Sequence, residues 1–393
     1  MDVGTSLPKV VPPVYVGIIS HLMTDSPAAK DPSCGFCSAV SKTTNPCLPS
    51  ADNKTLVESR TSTGKHQLRV SFHFAAPPAI SSICYDYAST MPPDDENNHE
   101  VAVIAAHGDS IVLRTMPRHR HTVVDGRVVP PTFDHFVYRP PSLTLLPGLR
   151  FPRKYRSPRF LLDEDTGVLR RGEDDLLVAQ IDTRHHDDRP DLADLCLLCL
   201  KRAVPIAHEE GEELMGSLTS PSTTIPVGDR FLCWVNYDIG LVVCDMAEEV
   251  SPKLRHVPLP TNDLPPLSYC DGIGAAGPCA MRFVSIEPRC CCGRLGRSSC
   301  ARSRSPFTVT MWTLTLTMDE PMTWVKEGVL DCEELWAMPG YEDLPHVYLQ
   351  SPIVSLDNPD VICFKVGRRH RGNQNASMIQ VDTRRKALLA AVQ

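Results

Sequence analysis

The first residues in this chain that could do chemistry are Cys34 and Cys37, set as Cys-Gly-Phe-Cys. A redox pair of this spacing works when the first thiolate sits at a helix N-terminus, where its pKa falls. The segment from Ser38 to Pro49 is rich in Ser, Thr, Asn and Pro and writes no amphipathic helix. The positioning element is therefore missing. A zinc knuckle would need four converging donors; Cys47 could be a third and His66 a fourth. The expectation is free thiols in a loop with no bound metal or cofactor, and Cys34, Cys37 and Cys47 are the candidates should a metal be held.

Other reactive patterns have equally local explanations. Gly272-Ile273-Gly274-Ala275-Ala276-Gly277 matches G-x-G-x-x-G, a phosphate cradle only between a strand and a helix. Pro278 follows at once, and Pro265 to Cys270 makes a poor strand, so a glycine-rich loop is expected. Cys196 and Cys199 lie three apart on a predicted strand, facing opposite sides as core thiols. Cys290, Cys291, Cys292 and Cys300 sit among six arginines between Arg282 and Arg304. Positive charge activates thiols and attracts phosphate, but so dense a charge run reads first as a solvated loop. His185-His186-Asp187-Asp188 occupies a polar turn without a partner pattern. No G-x-S-x-G, H-E-x-x-H or Walker lysine motif occurs. Nothing in this set assigns a reaction.

The elements that must position these residues are strands. From Arg230 to Tyr237 the chain is apolar and β-favouring. Asn236, Asp238 and Gly240 then supply hairpin-tip chemistry. Leu241–Cys244 returns as a strand, Asp245 to Lys253 is a polar loop, and Leu254–Leu259 makes a third strand closed by Pro260. The same strand–turn–strand phrasing recurs at 135–146, 176–200 and 361–392, and further strands are expected at 14–19, 68–74, 83–87, 101–105, 111–114, 283–286 and 308–316. Residues 1–13 are expected to be disordered and 27–64 to form a long flexible loop. The Cys/Arg-rich segment 288–306 interrupts the strands as an insertion. One helix is predicted at Asp331–Met338, where Asp331 and Glu334 write a capping box. The tryptophans Trp234, Trp312, Trp324 and Trp336 are expected to be buried between sheets.

Bulk numbers agree with a loop-punctuated β protein. The 393 residues include 36 prolines, which break helices and bound short strands. The expected fold is all-β, a propeller-like array of short antiparallel meanders forming one domain over 14–392, with a pair of sandwiches as the alternative. A net charge of −7 lacks the basic footprint of a nucleic-acid binder. No apolar run is long enough to span a membrane as a helix. The N-terminus carries no basic and apolar leader pattern, so the 16 cysteines are expected as free thiols in an intracellular protein, cytoplasmic or nuclear. The sequons at Asn53 and Asn375 are then expected to be unused.

Val227-Gly228-Asp229, Trp234-Val235-Asn236, Gly240-Leu241, Cys244-Asp245 and Leu254 to Pro260 together resemble a plant family expanded in grasses, domain of unknown function 1618 (DUF1618). The family pattern has Asp where Asn236 stands and Trp/Tyr-x-Gly where Ile239-Gly240 stands. The likeness is strongest over 227–366 and extends loosely across about 300 residues, a span suited to one large β domain. It implies a fold similar to F-box-associated domains and carries no established activity; no F-box segment is visible. The function expected is a non-enzymatic scaffold that binds an unidentified protein partner, and the alternative is a metal- or thiol-dependent protein using Cys34 and Cys37. A minor reading has Arg289 to Arg304 touching RNA or phosphoinositide.

Overall fold

Side chains alternate between two packed faces along every well-buried strand of this chain, and that alternation organises the fold. The computed structural model describes residues 55–62, 64, 66–79, 81–89, 99–117, 122–124, 127–129, 133–146, 161, 164–172, 175–182, 194–199, 204–208, 222–247, 252–260, 271–289, 306–367 and 377–392. They form six antiparallel meander sheets in chain order.

The first sheet holds β1 (Val57–Arg60), β2 (His66–His73) and β3 (Ser82–Ser89). The second holds β4 (His99–His107), β5 (Ser110–Pro117), β8 (Asp134–Arg139) and β9 (Ser142–Leu145), with a ribbon of β6 (Thr122–Val124) and β7 (Arg127–Val129) between β5 and β8 in sequence. The third comprises β10 (Thr166–Arg171), β11 (Asp175–Asp182), β12 (Asp194–Cys199) and β13 (Val204–His208). The fourth comprises β14 (Thr223–Val227), β15 (Phe231–Asn236), β16 (Gly240–Asp245) and β17 (Lys253–Val257). The fifth comprises β18 (Asp271–Ala275), β19 (Ala280–Pro288), β20 (Phe307–Thr315) and β21 (Trp324–Asp331). After α1 (Cys332–Trp336) comes the sixth, with β22 (Leu349–Val354), β23 (Val361–Val366), β24 (Ser377–Asp382) and β25 (Ala387–Val392).

Each sheet packs on its chain neighbours. In β15, Leu232 and Trp234 join a core with Leu177, Ala179 and Ile181 of the third sheet. The alternate residues Phe231, Cys233 and Val235 join Phe283 and Trp312 of the fifth. In β19, Val284 and Ile286 turn the other way, onto Ile362, Phe364 and Val366 of the sixth. A one-residue slip of β15 would exchange its two cores, so register is tightly specified. Burying side chains of this size stabilises by about 1.5–3 kcal/mol each. The first strands of sheets two to six adjoin in sequence, β4 with β10, β10 with β14, β14 with β18 and β18 with β22. The first sheet instead lays β1 against β9 and sets the Phe72 ring, tilted, against Tyr138 with centroids 4.5 Å apart. This is the all-β array of short antiparallel meanders expected from the sequence.

The close approach of the first strands dictates their composition. A Cβ on Gly272 would lie 2.1 Å from the Pro352 carbonyl oxygen, and one on Gly274 would lie 2.9 Å from the Val354 Cβ. Pro226 and Pro352 are tolerated because these strands are sheet edges, where no ladder N–H is lost. Residues 272–275, expected as a glycine-rich loop, are therefore the strand β18; the glycines admit a neighbouring backbone, not a phosphate. Two further expectations are corrected. The meander expected to begin near Val227 has a fourth strand before it, β14. The loop expected over 27–64 contains β1. The segment 288–306 leaves its flanks in order, since β19 and β20 pair out to Pro288 and Phe307 and the Arg289 N–H reaches the Pro306 carbonyl at 3.0 Å.

The helix forms where the capping box predicts. Asp331 accepts from the Glu333 N–H at 2.9 Å and Glu334 accepts from the Asp331 N–H at 3.1 Å. Cys332, Leu335 and Trp336 are its buried face. No helix among the described residues is long and apolar enough to cross a membrane.

Candidate functional site

The short turns give the molecule its most regular polar surface. In sheets two to six the end of the first strand and the end of the third fall on the same side, because strands alternate and first strands run alike. Side-chain bonds across the sheet junctions fix this placement. The Arg171 Nη1 donates to the Met246 carbonyl at 3.2 Å, joining the third sheet to the turn that follows β16. Arg170 meets Asp109 at 2.5 Å, and Arg139 stands 3.9 Å from the same carboxylate. In the sixth sheet Arg384 lies 3.6 Å from Asp360, across the two turns of that sheet.

Two ion-pair groups anchor this face. Arg230 grips Asp245 through Nε at 2.8 Å and Nη2 at 2.5 Å, and the Ala247 N–H adds a bond at 3.0 Å. The Arg230 guanidinium holds the Asp245 carboxyl below its ordinary value. The second group centres on buried Arg282, which reaches Glu327 at 3.3 Å on its own sheet and Asp360 at 3.1 Å on the next. A buried guanidinium is stable only with such partners. The Arg282–Asp360 pair ties the fifth sheet to the sixth and the Arg230–Asp245 pair braces the fourth, leaving a mixed-charge rim.

The opposite side carries the hairpin tip Tyr237–Ile239. At its edge Asp271, the first residue of β18, accepts from the Ser285 hydroxyl and the Ile286 N–H. Burial nonetheless raises its carboxyl to about 6. Trp336 stacks flat on His346 with ring centroids 4.7 Å apart.

Buried groups elsewhere are unsuited to catalysis. Burial pushes the thiols of Cys233 and Cys244 well above their ordinary range and that of Cys363 to about 11. Such thiols are poor nucleophiles. Burial lowers His107 and His135 to about 4, and the His107 Nδ1 accepts the Arg170 N–H at 2.9 Å. They stay neutral at physiological pH.

The sequence candidates fare unevenly. Cys34, Cys37, Cys47, the His185–Asp188 cluster, Cys290–Cys292 and Cys300 lie outside the described residues, as does the strand expected at 14–19. His66 opens β2. Cys196 and Cys199 fall on β12, their side chains outside the described set. Among the described residues no cluster of three His, Cys, Asp or Glu could hold a metal, and the free cysteines are Cys84, Cys233, Cys244, Cys279, Cys332 and Cys363. The tryptophans are structural. The Trp234 Nε1 donates to the Asp165 carbonyl at 2.8 Å and the Trp324 Nε1 to the Pro258 carbonyl at 2.8 Å, each across a sheet junction. The ion-pair residues of the rim were not singled out from sequence. The one local signal was a charge beside a turn glycine, as in Gly108-Asp109.

The stretch from Trp234 through α1 to Cys363 is similar to a family matched over residues 234–363, described as a protein of unknown function, DUF1618. The matched segment runs from the second strand of the fourth sheet to the second strand of the sixth. No curated protein matches the sequence. Among solved structures, an S. cerevisiae complex of Dbp5 with Nup159, Gle1, IP6 and ADP aligns at 10% identity over 88% of this chain and 76% of that chain, with a TM-score of 0.28. At that score the likeness informs neither fold nor function.

Proposed function

We propose that this protein is a non-enzymatic scaffold, acting inside the cell, that binds another protein through the turn face of its sheet array. The observation that carries the reading is the fixed rim of mixed charge made by Asp109, Arg170, Arg230, Asp245, Asp360 and Arg384 on rigid strand ends. Turns held by a packed framework are the usual location of binding residues. Support also comes from the state of the buried thiols and imidazoles, which are held in unreactive forms by burial.

Affinity capture with the tagged full chain, followed by mass spectrometry, tests the reading. The expected result is a protein enriched well above capture by an unrelated all-β array of similar size. Enrichment equal to that control would overturn it.

A further inference from the structure

Sheets two to six have four strands each, and in the first sheet the described strands are β1, β2 and β3. Its alignment on the second sheet is fixed at three points. β1 lies against β9, and Phe72 near the end of β2 meets Tyr138 near the end of β8. The Ser62 N–H, just past β1, donates to the Asp134 carboxylate at the start of β8 at 3.1 Å. β2 therefore runs like β8, and β3 stands in step with β5. The inner edge of β3, beyond its ladder with β2, faces the place in step with β4. That ladder pairs every residue from Ser82 to Ser89 without a register shift, so β3 presents a straight edge.

The floor beneath that place is apolar. Val101 and Val103 of β4 are buried in the core that joins the first two sheets, together with Ile83 of β3. β4 is also the end of the row of first strands, which continues through β10, β14, β18 and β22. Strands of this row share a composition, β-favouring residues interrupted by Gly or Pro, as at Gly167, Pro226, Gly272 and Pro352. Residues 14–19, Val-Tyr-Val-Gly-Ile-Ile, have the same composition, and the strand expected there lies outside the described residues. On such a strand the alternate residues Val14, Val16 and Ile18 make one apolar face, which suits Val101 and Val103. An antiparallel partner of β3 runs like β4, as first strands do. The chain between Ile19 and Val57 then has to cross only roughly 14 Å, three strand spacings, to reach β1.

We propose that residues 14–19 dock along the inner edge of β3 as the fourth strand of the first sheet, over Val101 and Val103 and beside β4. The occupant of the edge is thus the protein's own segment, and in place it closes the edge to outside strands. A strand from a second copy would have to displace a tethered one, whose effective concentration is about millimolar. The turn face of sheets two to six takes no part in this docking, so it and the scaffold reading stand or fall separately.

Cys84, a free thiol on β3, provides the test in the full chain. Any antiparallel register that pairs all of residues 14–19 within Ser82–Ser89 sets Cys84 opposite residue 17, 18 or 19. Directly opposite residues have Cα atoms about 4.5–5.5 Å apart, within reach of a disulfide. Gly17→Cys, Ile18→Cys and Ile19→Cys are each treated with oxidised glutathione, and the links are mapped by peptide mass spectrometry. One of the three is expected to link to Cys84 within the same chain, and a directly adjacent position, on the other face, several-fold less. No link from any of the three overturns the proposal, as do equal links from all three. A Cys84 link between chains assigns the edge to a second copy and overturns it too. Val16→Asp/Ile18→Asp gives an independent check by hydrogen exchange. The β3 amides are expected to exchange about tenfold faster in this variant than in the wild type, while those of β23 are unchanged. Unchanged β3 exchange would overturn the docking strand and leave the scaffold reading standing.

Discussion

Replacing Gly272 by Ala adds one methyl group where the fifth and sixth sheets come closest. Its Cβ would stand 2.1 Å from the Pro352 carbonyl oxygen, a backbone atom that cannot rotate away. Ordinary contact begins near 3.4 Å, so β18 and β22 must separate by roughly 1 Å or the strand must bend. Overpacking of this kind costs about 1–3 kcal/mol, and a backbone neighbour places Gly272→Ala at the upper end. The matched control is Gly328→Ala, whose Cβ would meet only the mobile end of Met311 at 3.0 Å. That change is expected to alter stability by less than about 1 kcal/mol, because a flexible methyl can yield. Thermal unfolding followed by tryptophan fluorescence gives the comparison. A loss of 2–3 kcal/mol corresponds to a drop of about 2–4 °C in Tm for a chain of this size. Equal midpoints for the two variants would refute the close approach of the inner strands.

Three further outcomes follow from single contacts and from titration. Trp234→Phe removes one of two donors to the Asp165 carbonyl, which keeps the Ile181 N–H at 3.1 Å, and is expected to cost about 1 kcal/mol in urea unfolding. Asp331→Ala removes the α1 cap, and a loss of about 1 kcal/mol is expected by the same assay. His107 and His135 titrate near 4 in the fold, below the unfolded value of about 6.5. The unfolded state then binds more protons between these values, so both residues make stability rise from pH 4 to 6.5. Asp271, raised to about 6, acts oppositely: the folded state holds its proton longer, and its contribution falls as pH rises from about 4 to 6. Asp271→Asn should therefore steepen the rise in that window and add up to about 3 kcal/mol at pH 7, measurable as urea midpoints against pH. A variant curve superimposing on wild type would sink the assignment.

What could be read from the sequence depended on where each strand lies in its sheet. Middle strands such as β11, β15 and β23 are buried on both faces, so they appear as apolar runs, and the unit read over 361–392 begins where β23 begins and ends where β25 ends. First strands were mostly missed. Thr-Gly-Val-Leu-Arg-Arg, Thr-Thr-Ile-Pro-Val, Asp-Gly-Ile-Gly-Ala and Leu-Gln-Ser-Pro-Ile-Val carry glycine, proline and polar residues because the sheets converge there. The same composition elsewhere marks a loop. The helix was legible because its capping box is local. The rim was not, since Arg282 and Asp360 are 78 residues apart and only the folded array makes them neighbours.

Cross-linking mass spectrometry on a complex captured by the tagged full chain tests the scaffold account most directly. Lys253 and Lys386 stand on the turn face, and the account predicts that links to the partner originate from them. A captured partner linked only through residues of the opposite side, or no partner enriched over an unrelated β array, would contradict it.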